Sequence, residues 1–300
     1  MNEAVERAHR EGILSSASLM VGAPAAADAV RRARALPALR VGLHLVVIEG
    51  PAVSPWAAIP DLVGGDPSPR PSPTRGEGEG KALSPCGRGL GEGFATPAQF
   101  ASRQLPLALR YAFHPRARRQ LAAEIRAQFA AFAATGLPLD HANAHKHMHL
   151  HPTVGRLMIE IGREYGLRAL RVPAEPPQVL ARCGHPASLS DRALYRWAAL
   201  LRRRARRAGM ATNDHAFGIA WSGHMTATKL LRLAAHLPEG VSEVYFHPAS
   251  RHDAVLTALM PDYEHEAEFA ALLDPTVRSA FAATGATMTS FSEVAARAAR

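Results

Sequence analysis

Histidines are concentrated in one segment, "DHANAHKHMHLHP", which runs from Asp140 to Pro152 and holds five of the fifteen histidines of the chain. Imidazole is the commonest metal ligand among side chains, so this density suggests a metal site. If the segment is extended, its side chains alternate between two faces. One face then carries His141, Asn143, His145, His147, His149 and His151, and the other carries Asp140, Ala142, Ala144, Lys146, Met148 and Leu150.

The spacing of these histidines limits how many can bind one ion. Alternate residues of an extended strand lie roughly 6.6 Å apart, so a single ion would take one or two ligands here and the remainder from elsewhere. Two other interpretations stay open: a polar strand end whose histidines bond to neighbours or water, and a storage tract for nickel, copper or zinc. Storage tracts usually lie in low-complexity tails. This segment lies between two predicted helices, which favours a site.

Two further histidines lie in predicted strands. His44 is surrounded by apolar residues in "VGLHLVV", where burying its ring without a partner would be costly. His247 ends the strand "EVYFHPA" just before a proline. Taken alone, a histidine in either position is more often a core residue whose ring nitrogens are hydrogen-bonded to the protein. The carboxyl ends of the strands form the active-site face of α/β barrels. His44, His247 and one histidine of the tract, each at such a strand end, are what a mononuclear site with a separate proton donor needs.

Strand and helix patterns alternate through most of the chain, which predicts an α/β fold with a parallel sheet or a (β/α) barrel. The predicted helices are 2–12, 24–36, 115–136, 152–166, 191–209, a stretch near 226–236 and 264–283. The predicted strands are 13–22, 40–50, 137–150, 167–176, 211–220, 242–249 and 286–292. We interpret residues 1–300 as one domain.

A low-complexity segment interrupts this domain at about 64–95. Residues 64–93 are dominated by glycine, proline and serine, and they hold too few apolar side chains to offset the entropy of ordering. We therefore expect a disordered insertion. Its acidic and basic residues balance, so the basic character of the protein belongs to the remainder of the chain.

Composition narrows the class of protein. The chain has 300 residues, a net charge of +9 and 47% hydrophobic residues, without an apolar run long enough to span a membrane. The N-terminal residues lack a secretory signal, and two cysteines cannot build a disulfide framework. We expect a cytoplasmic protein. The run "RRRARR", residues 202–207, is interpreted as a solvated helix end that allows at most peripheral membrane contact; no motif indicates nucleic-acid binding.

Several blocks together resemble the YdjC-like carbohydrate deacetylases, which include the ChbG and HpnK groups. The blocks are "NEAVERAHREGILSSASLMVGAPAAADAV", "VGLHLVVIEG", "HANAHKHMHLHPTV", "LRVPAEP" and "EVYFHPA", and they look most like the hopanoid-associated HpnK group. The resemblance covers nearly the whole chain outside the insertion. It implies a deformed (β/α) barrel of the TIM-barrel type and a hydrolase that removes N-acetyl groups from amino sugars with one divalent metal ion, with zinc and magnesium both open.

The resemblance also implies roles for individual residues. The histidine of the "GLHL" block, His44, and one from the later block, His145, would bind the ion, with His147 and His149 as less favoured choices. His247 would act as the general acid. Arg171 of "RVP" and Asn143 of the histidine block would contact the substrate, an N-acetylated sugar or glycolipid such as an N-acetylglucosaminyl hopanoid.

The chain departs from the family pattern at its N-terminus. Family members carry a strand with an acidic pair ahead of the segment equivalent to residues 2–12, where one aspartate binds the metal and the other is the base. The sequence shows no such pair, so we expect a barrel that lacks its first strand and a weakly active or inactive polypeptide. Three functions stay open: a deacetylase, a non-catalytic metal- or sugar-binding relative, and another barrel metallohydrolase. Whether the chain forms a homodimer is also open.

Overall fold

Parallel strands form the centre of the molecule. The computed structural model describes residues 1–63, 98–251 and 253–298. The strands are β1 (Ser16–Leu19), β2 (Arg40–Leu45), β3 (Leu139–Ala144), β4 (Ala169–Leu170), β5 (Ala211–Thr212), β6 (His215–Phe217) and β7 (Ser242–Val244). They form a five-stranded sheet in the order β1-β2-β3-β4-β5 and a separate β6-β7 pair, all parallel. The α/β class is therefore confirmed, and the predicted insertion at 64–95 lies outside the described residues.

Helices connect these strands. They are α1 (Asn2–Glu11), α2 (Ala26–Arg34), α3 (Gln104–Phe113), α4 (Pro115–Ala134), α5 (Pro152–Glu164), α6 (Pro177–Arg182), α7 (Leu189–Arg207), α8 (Ala227–Ala234), α9 (Ala254–Leu259), α10 (His265–Leu273), α11 (Pro275–Ala283) and α12 (Phe291–Ala298). The helix predicted across 264–283 is two helices. They meet at Asp274, whose carboxylate accepts from the backbone N–H of Thr276 at 2.7 Å and starts α11 ahead of Pro275.

The main core lies between the sheet and two long helices. Leu43 and Leu45 of β2 are fully buried together with Ile125 of α4 and Met158 of α5. The aliphatic residues of β2 thus hold His44 in place from the face opposite to its own. No helix in the described ranges is both long and apolar enough to cross a membrane.

Two sequence predictions are wrong at the level of individual elements. The strand predicted at 286–292 does not form; irregular chain there leads into α12, which begins at Phe291. The extended run predicted through His151 stops at Ala144, where a 3₁₀ turn from His145 to Leu150 replaces it. Lys146 and His147 adopt left-handed backbone conformations inside this turn, with φ of 49° and 53°. The predicted row of histidines along one face of a strand therefore does not continue past β3.

The predicted barrel is open in the part of the chain that the structure describes. There, β1 pairs with β2 alone and β7 pairs with β6 alone. Since β5 and β6 do not pair with each other, these are two of four free edges among the described strands. A cavity of about 2340 Å³ lies between β1 and β7 and is lined by residues of both strands. A closed barrel with one further strand stays a prediction.

Candidate active site

The cavity between β1 and β7 brings together side chains from four separate strand ends. Its lining includes His44, His145, His147, Arg171 and His247. These residues, predicted from four separate blocks of the sequence, therefore share one space at the carboxyl ends of the parallel strands.

His44 and His145 are the two histidines that face each other most directly. Their ring centroids lie 5.7 Å apart with the planes at 70°. Nδ1 of His44 is bonded to the side-chain amide of Asn143 at 2.5 Å, which leaves Nε2 of His44 for another partner. His44 and Asn143 are paired in register across β2 and β3, so the sheet itself sets this contact. Asn143 is fully buried, and its amide bonds protein atoms, which differs from the substrate contact the resemblance implied.

His147 enters the cavity because of the left-handed turn. Its Nε2 lies 3.2 Å from the hydroxyl of Tyr245, and the two rings meet edge to face. A non-glycine residue with positive φ is uncommon and costs on the order of 1–3 kcal/mol, so such conformations concentrate where function requires them. Two consecutive cases, Lys146 and His147, mark this turn as a constrained part of the site.

Arg171 lies between the histidines and a buried carboxylate. Its guanidinium donates to both oxygens of Glu243, with Nε at 2.8 Å from each, and both side chains are nearly buried. The guanidinium also lies over the ring of Tyr245 at 5.1 Å. Arg171 is thus a fixed positive charge whose remaining N–H groups face the Asn143 amide.

His247 follows β7 and lies across the cavity from His44. Its ring lies between Tyr245 and Tyr263, with centroids at 5.8 and 5.2 Å. Its backbone N–H donates to the buried carboxylate of Glu268, which also accepts from the N–H of Met225 at 3.0 Å. Nδ1 of His247 is buried and lacks a hydrogen-bond partner among the described residues. The ring is therefore held in place by packing against the two tyrosines.

His149 does not line this cavity. It is buried, and its Nε2–H donates to the backbone oxygen of Arg171 at 3.1 Å. The histidine tract therefore divides: His145 and His147 reach the cavity, whereas His149 supports the strand end that carries Arg171.

The electrostatics of the site favour neutral imidazoles. Burial, reinforced by neighbouring positive groups, lowers the pKa of His44 well below its ordinary value. Burial alone lowers the pKa of His145. Burial and the Arg171 charge lower the pKa of His147 and of His247 to about 4. Neutral imidazole has a free lone pair near pH 7, which a metal ion requires.

The donor set fits part of a metal site. Catalytic zinc sites commonly have three protein ligands and one open position, and His44 with His145 would supply two. In residues 1–63, 98–251 and 253–298, no three histidine, cysteine or carboxylate side chains are placed so that they could hold one ion together. Nearby carboxylates are engaged: Glu243 by Arg171, Glu268 by two N–H groups, and Glu175 by the N–H groups of residues 218–220.

Sequence reasoning missed several residues of this site. Period-two spacing places Glu243, Tyr245 and His247 on one face of β7 and its extension, and this signal was available in "EVYFHPA". Ser18 of β1, which also lines the cavity, gave no local signal.

Comparison with known proteins identifies the family. Residues 1–283 match the model of the family described as "YdjC-like protein". The chain belongs to the YdjC-like family.

Relatives of this YdjC-like chain include proteins named carbohydrate deacetylase. One from Brevibacillus brevis is 26% identical over 86% of this chain and 79% of its own length. One from Geobacillus stearothermophilus is 25% identical over 98% of this chain and 91% of its own length. One from Vibrio vulnificus is 32% identical, over 55% of this chain and 50% of its own length.

The fold is shared with a solved structure. The crystal structure of a proposed cellobiose-phosphate cleavage protein from Enterococcus faecalis matches with a TM-score of 0.66 at 17% identity, and the match covers 98% of this chain and 92% of the other. At this identity the likeness shows the fold alone.

Proposed function

We propose that this protein is a metal-dependent hydrolase that removes the N-acetyl group from an amino sugar or glycolipid. The observation that carries the proposal is the meeting of His44, His145 and His247 in one cavity at the carboxyl ends of the strands. The deacetylase names of its relatives give the substrate class. The hopanoid-linked sugar that the HpnK resemblance implies is one member of that class.

His44 and His145 would hold the divalent cation, zinc or magnesium, through neutral ring nitrogens. Two imidazole ligands are compatible with zinc. A carboxylate as a further ligand would also permit magnesium. When bound, the cation would polarise the acetamide carbonyl and lower the pKa of a bound water. The fixed charge of Arg171 lies on the same side of the cavity, where it would orient oxygen atoms of the sugar.

His247 would protonate the leaving amine. Because its pKa is about 4, the ring is neutral near pH 7 and must first gain a proton within the reaction. The attacking water is the available source: His247 would take its proton directly, or receive it from a carboxylate base that took it first, and would then give it to the amine. A ring held by packing between Tyr245 and Tyr263, with Nδ1 unpartnered among the described residues, suits this exchange.

A second candidate function is binding without efficient turnover. The carboxylates of Glu243, Glu268 and Glu175 are already hydrogen-bonded to other protein groups, which favours this function. An efficient site of this type needs a carboxylate that is free to bind the metal and another to act as the base. Loss of one member of such a set commonly costs several orders of magnitude in rate. We therefore expect weak deacetylation from the 300-residue chain, although the class of reaction is that of its family.

Acetate release from N-acetylglucosaminyl substrates tests both candidates. The assay compares the chain with a form extended by a strand carrying two aspartates, designed to pair between β1 and β7. We expect weak release from the first and at least a tenfold increase from the second. Metal uptake without acetate release from either form would favour the binding function, and phosphate release from phosphorylated sugars would indicate a different metallohydrolase.

A further inference from the structure

A line of hydrogen bonds runs beneath the cavity and ends at His44. Nδ1–H of His141 donates to Asp140 at 2.8 Å, and Nε2 of His141 lies 3.0 Å from the hydroxyl of Ser18. The Asn143 amide bonds the same hydroxyl at 2.7 Å and meets Nδ1 of His44 at its other end. A buried carboxylate is thereby connected to the ring that would bind the cation.

An irregularity in the sheet makes this line possible. Neighbouring residues of a regular strand point to opposite faces, so Asp140 and His141 would not touch. Here the register between β2 and β3 shifts: Val41 pairs with Leu139, but Leu43 pairs with Ala142. Two residues of β3 therefore oppose one of β2, a bulge that turns a side chain in a new direction.

Gly42 provides the path across β2. A Cβ at this position would lie 2.6 Å from three atoms of the His141 ring, which is closer than real contacts allow. The ring can therefore pass over β2 and reach Ser18, which pairs with Gly42 from the other side. Residues of the three adjacent strands β1, β2 and β3 thus form the line.

The acidic end of the line is held firmly. Oδ1 of Asp140 accepts from the backbone N–H of Ser292 at 2.9 Å, and the ring of Phe291 lies 4.7 Å from that of His141. Although burial opposes ionisation, the bonds from His141 and Ser292 keep the pKa of Asp140 below its ordinary value. Asp140 is therefore a fixed acceptor that sets which nitrogen of His141 carries a proton.

The Asn143 amide fits the line in two orientations. In one, Oδ1 accepts from Nδ1–H of His44 and the amino group donates to Ser18. In the other, the amino group donates to His44, while Oδ1 accepts from Ser18 and lies 3.1 and 3.3 Å from two Arg171 nitrogens. Both orientations bond Ser18 and His44, but at different costs. The first sets the amino group against the Arg171 donors, whereas the second needs the single Ser18 proton, which Nε2 of the neutral His141 ring also requires. A His44 ring that binds a cation through Nε2 needs its proton on Nδ1, which selects the first.

We propose that Asp140, His141 and Ser18 are positioning residues that act through Asn143 to hold the His44 ring with Nε2 toward the cavity. The inference rests on the proposed function, because it concerns the ring that would bind the cation. Groups that orient metal-binding histidines from behind commonly change metal affinity by about 10–100-fold when removed.

Ser18, His141 and Asp140 are also hydrogen-bonded in the order found in a catalytic triad, in which a histidine activates a serine nucleophile and an acid orients the histidine. Their placement favours positioning instead. Ser18 pairs with Gly42, two residues before His44 on the neighbouring strand, so its hydroxyl lies deeper than the histidines. The hydroxyl is also bonded from two sides, by His141 and by Asn143.

Zinc binding by Ser18→Ala, measured by calorimetry with zinc alone, tests this inference. Ser16→Ala is the matched control, since it removes a hydroxyl from the same strand outside the line. We expect Ser18→Ala to weaken zinc binding about 10–100-fold, Ser16→Ala to leave it unchanged, and Ser18→Thr, which keeps a hydroxyl, to restore it. Equal affinities of Ser18→Ala and Ser16→Ala would overturn the inference.

A second readout separates this inference from the proposed function. The ring nitrogen signals of His44 in nitrogen-15 spectra, recorded in chelator, should shift in Ser18→Ala and not in Ser16→Ala. If the wild-type chain binds no zinc, the proposed function fails while this shift still supports positioning. Unshifted signals, or covalent labelling of Ser18 by a fluorophosphonate, would contradict it.

Discussion

His44 and His145 meet edge to face, with ring centroids 5.7 Å apart, although one lies within β2 and the other begins the turn after β3. The contact depends on the parallel pairing of the two strands, which places Asn143 beside His44 and carries the chain on to His145. Two neutral rings at this separation can turn toward a common ion between them.

The first prediction concerns this pair. His44→Ala and His145→Ala should each reduce zinc or magnesium binding by at least about 100-fold, which exceeds the effect of removing an outer partner. Calorimetric titration of the metal-depleted protein measures the change. His236→Ala, at an exposed position outside the cavity, serves as the control and should bind like the wild type. Undiminished binding in both cavity variants would place the metal elsewhere.

The sequence predicted the strands that matter most for this site. Apolar residues around His44 indicated a buried strand, and the position of His247 before Pro248 indicated a strand end; both lie beside the cavity. These patterns depend on local periodicity, which burial on one side of a sheet imposes directly. The α/β class followed from the alternation of such segments.

The turn at Lys146 could not be predicted in the same way. Positive φ is uncommon for lysine, and for histidine it is enriched but still a minority conformation, so the sequence suggested a continued strand. Contacts distant in sequence hold the turn instead: Lys146 forms an ion pair with Glu49, and His147 lies against Tyr245. The bulge that turns His141 toward Asp140 is likewise set by pairing with β2.

The second prediction concerns stability and pH. The pKa of His147 and of His247 is about 4 in the folded protein, below the ordinary value of 6.5, mainly because the rings are buried. Between these values the unfolded chain binds more protons than the folded protein, so the free energy of unfolding falls as pH decreases from about 6.5 to about 4. Each ring contributes on the order of 1 kcal/mol per pH unit.

Urea denaturation in chelator at pH 7, 6 and 5 measures this slope. His147→Gln should flatten it because the protonation difference of one buried ring is removed. His236→Gln, at an exposed site, should keep the wild-type slope. Identical slopes in all three proteins would show that the buried rings do not govern acid sensitivity.

The third prediction concerns Gly42. Gly42→Ala places a Cβ against the His141 ring, which Asp140 and Ser18 hold from both sides, and we expect a loss of about 1–3 kcal/mol in the free energy of unfolding. In the Gly42→Ala, His141→Ala double variant the clash is absent. The added methyl group should therefore cost less there than in the wild type, which a double-mutant cycle of denaturation free energies measures. Strict additivity would contradict the contact.

The last prediction concerns Arg171 and Glu243. Because both side chains are nearly buried, Glu243→Gln leaves an uncompensated guanidinium, and we expect the free energy of unfolding to fall by about 3 kcal/mol. Arg171→Met combined with Glu243→Gln removes the unpaired charge and should recover part of this loss. In the extended form that releases acetate, Glu243→Gln should raise KM more than it lowers kcat, since a mobile Arg171 orients the sugar less well. Glu239→Gln, a nearby exposed change, should alter neither quantity; an equal loss there would show that the pair has no special role.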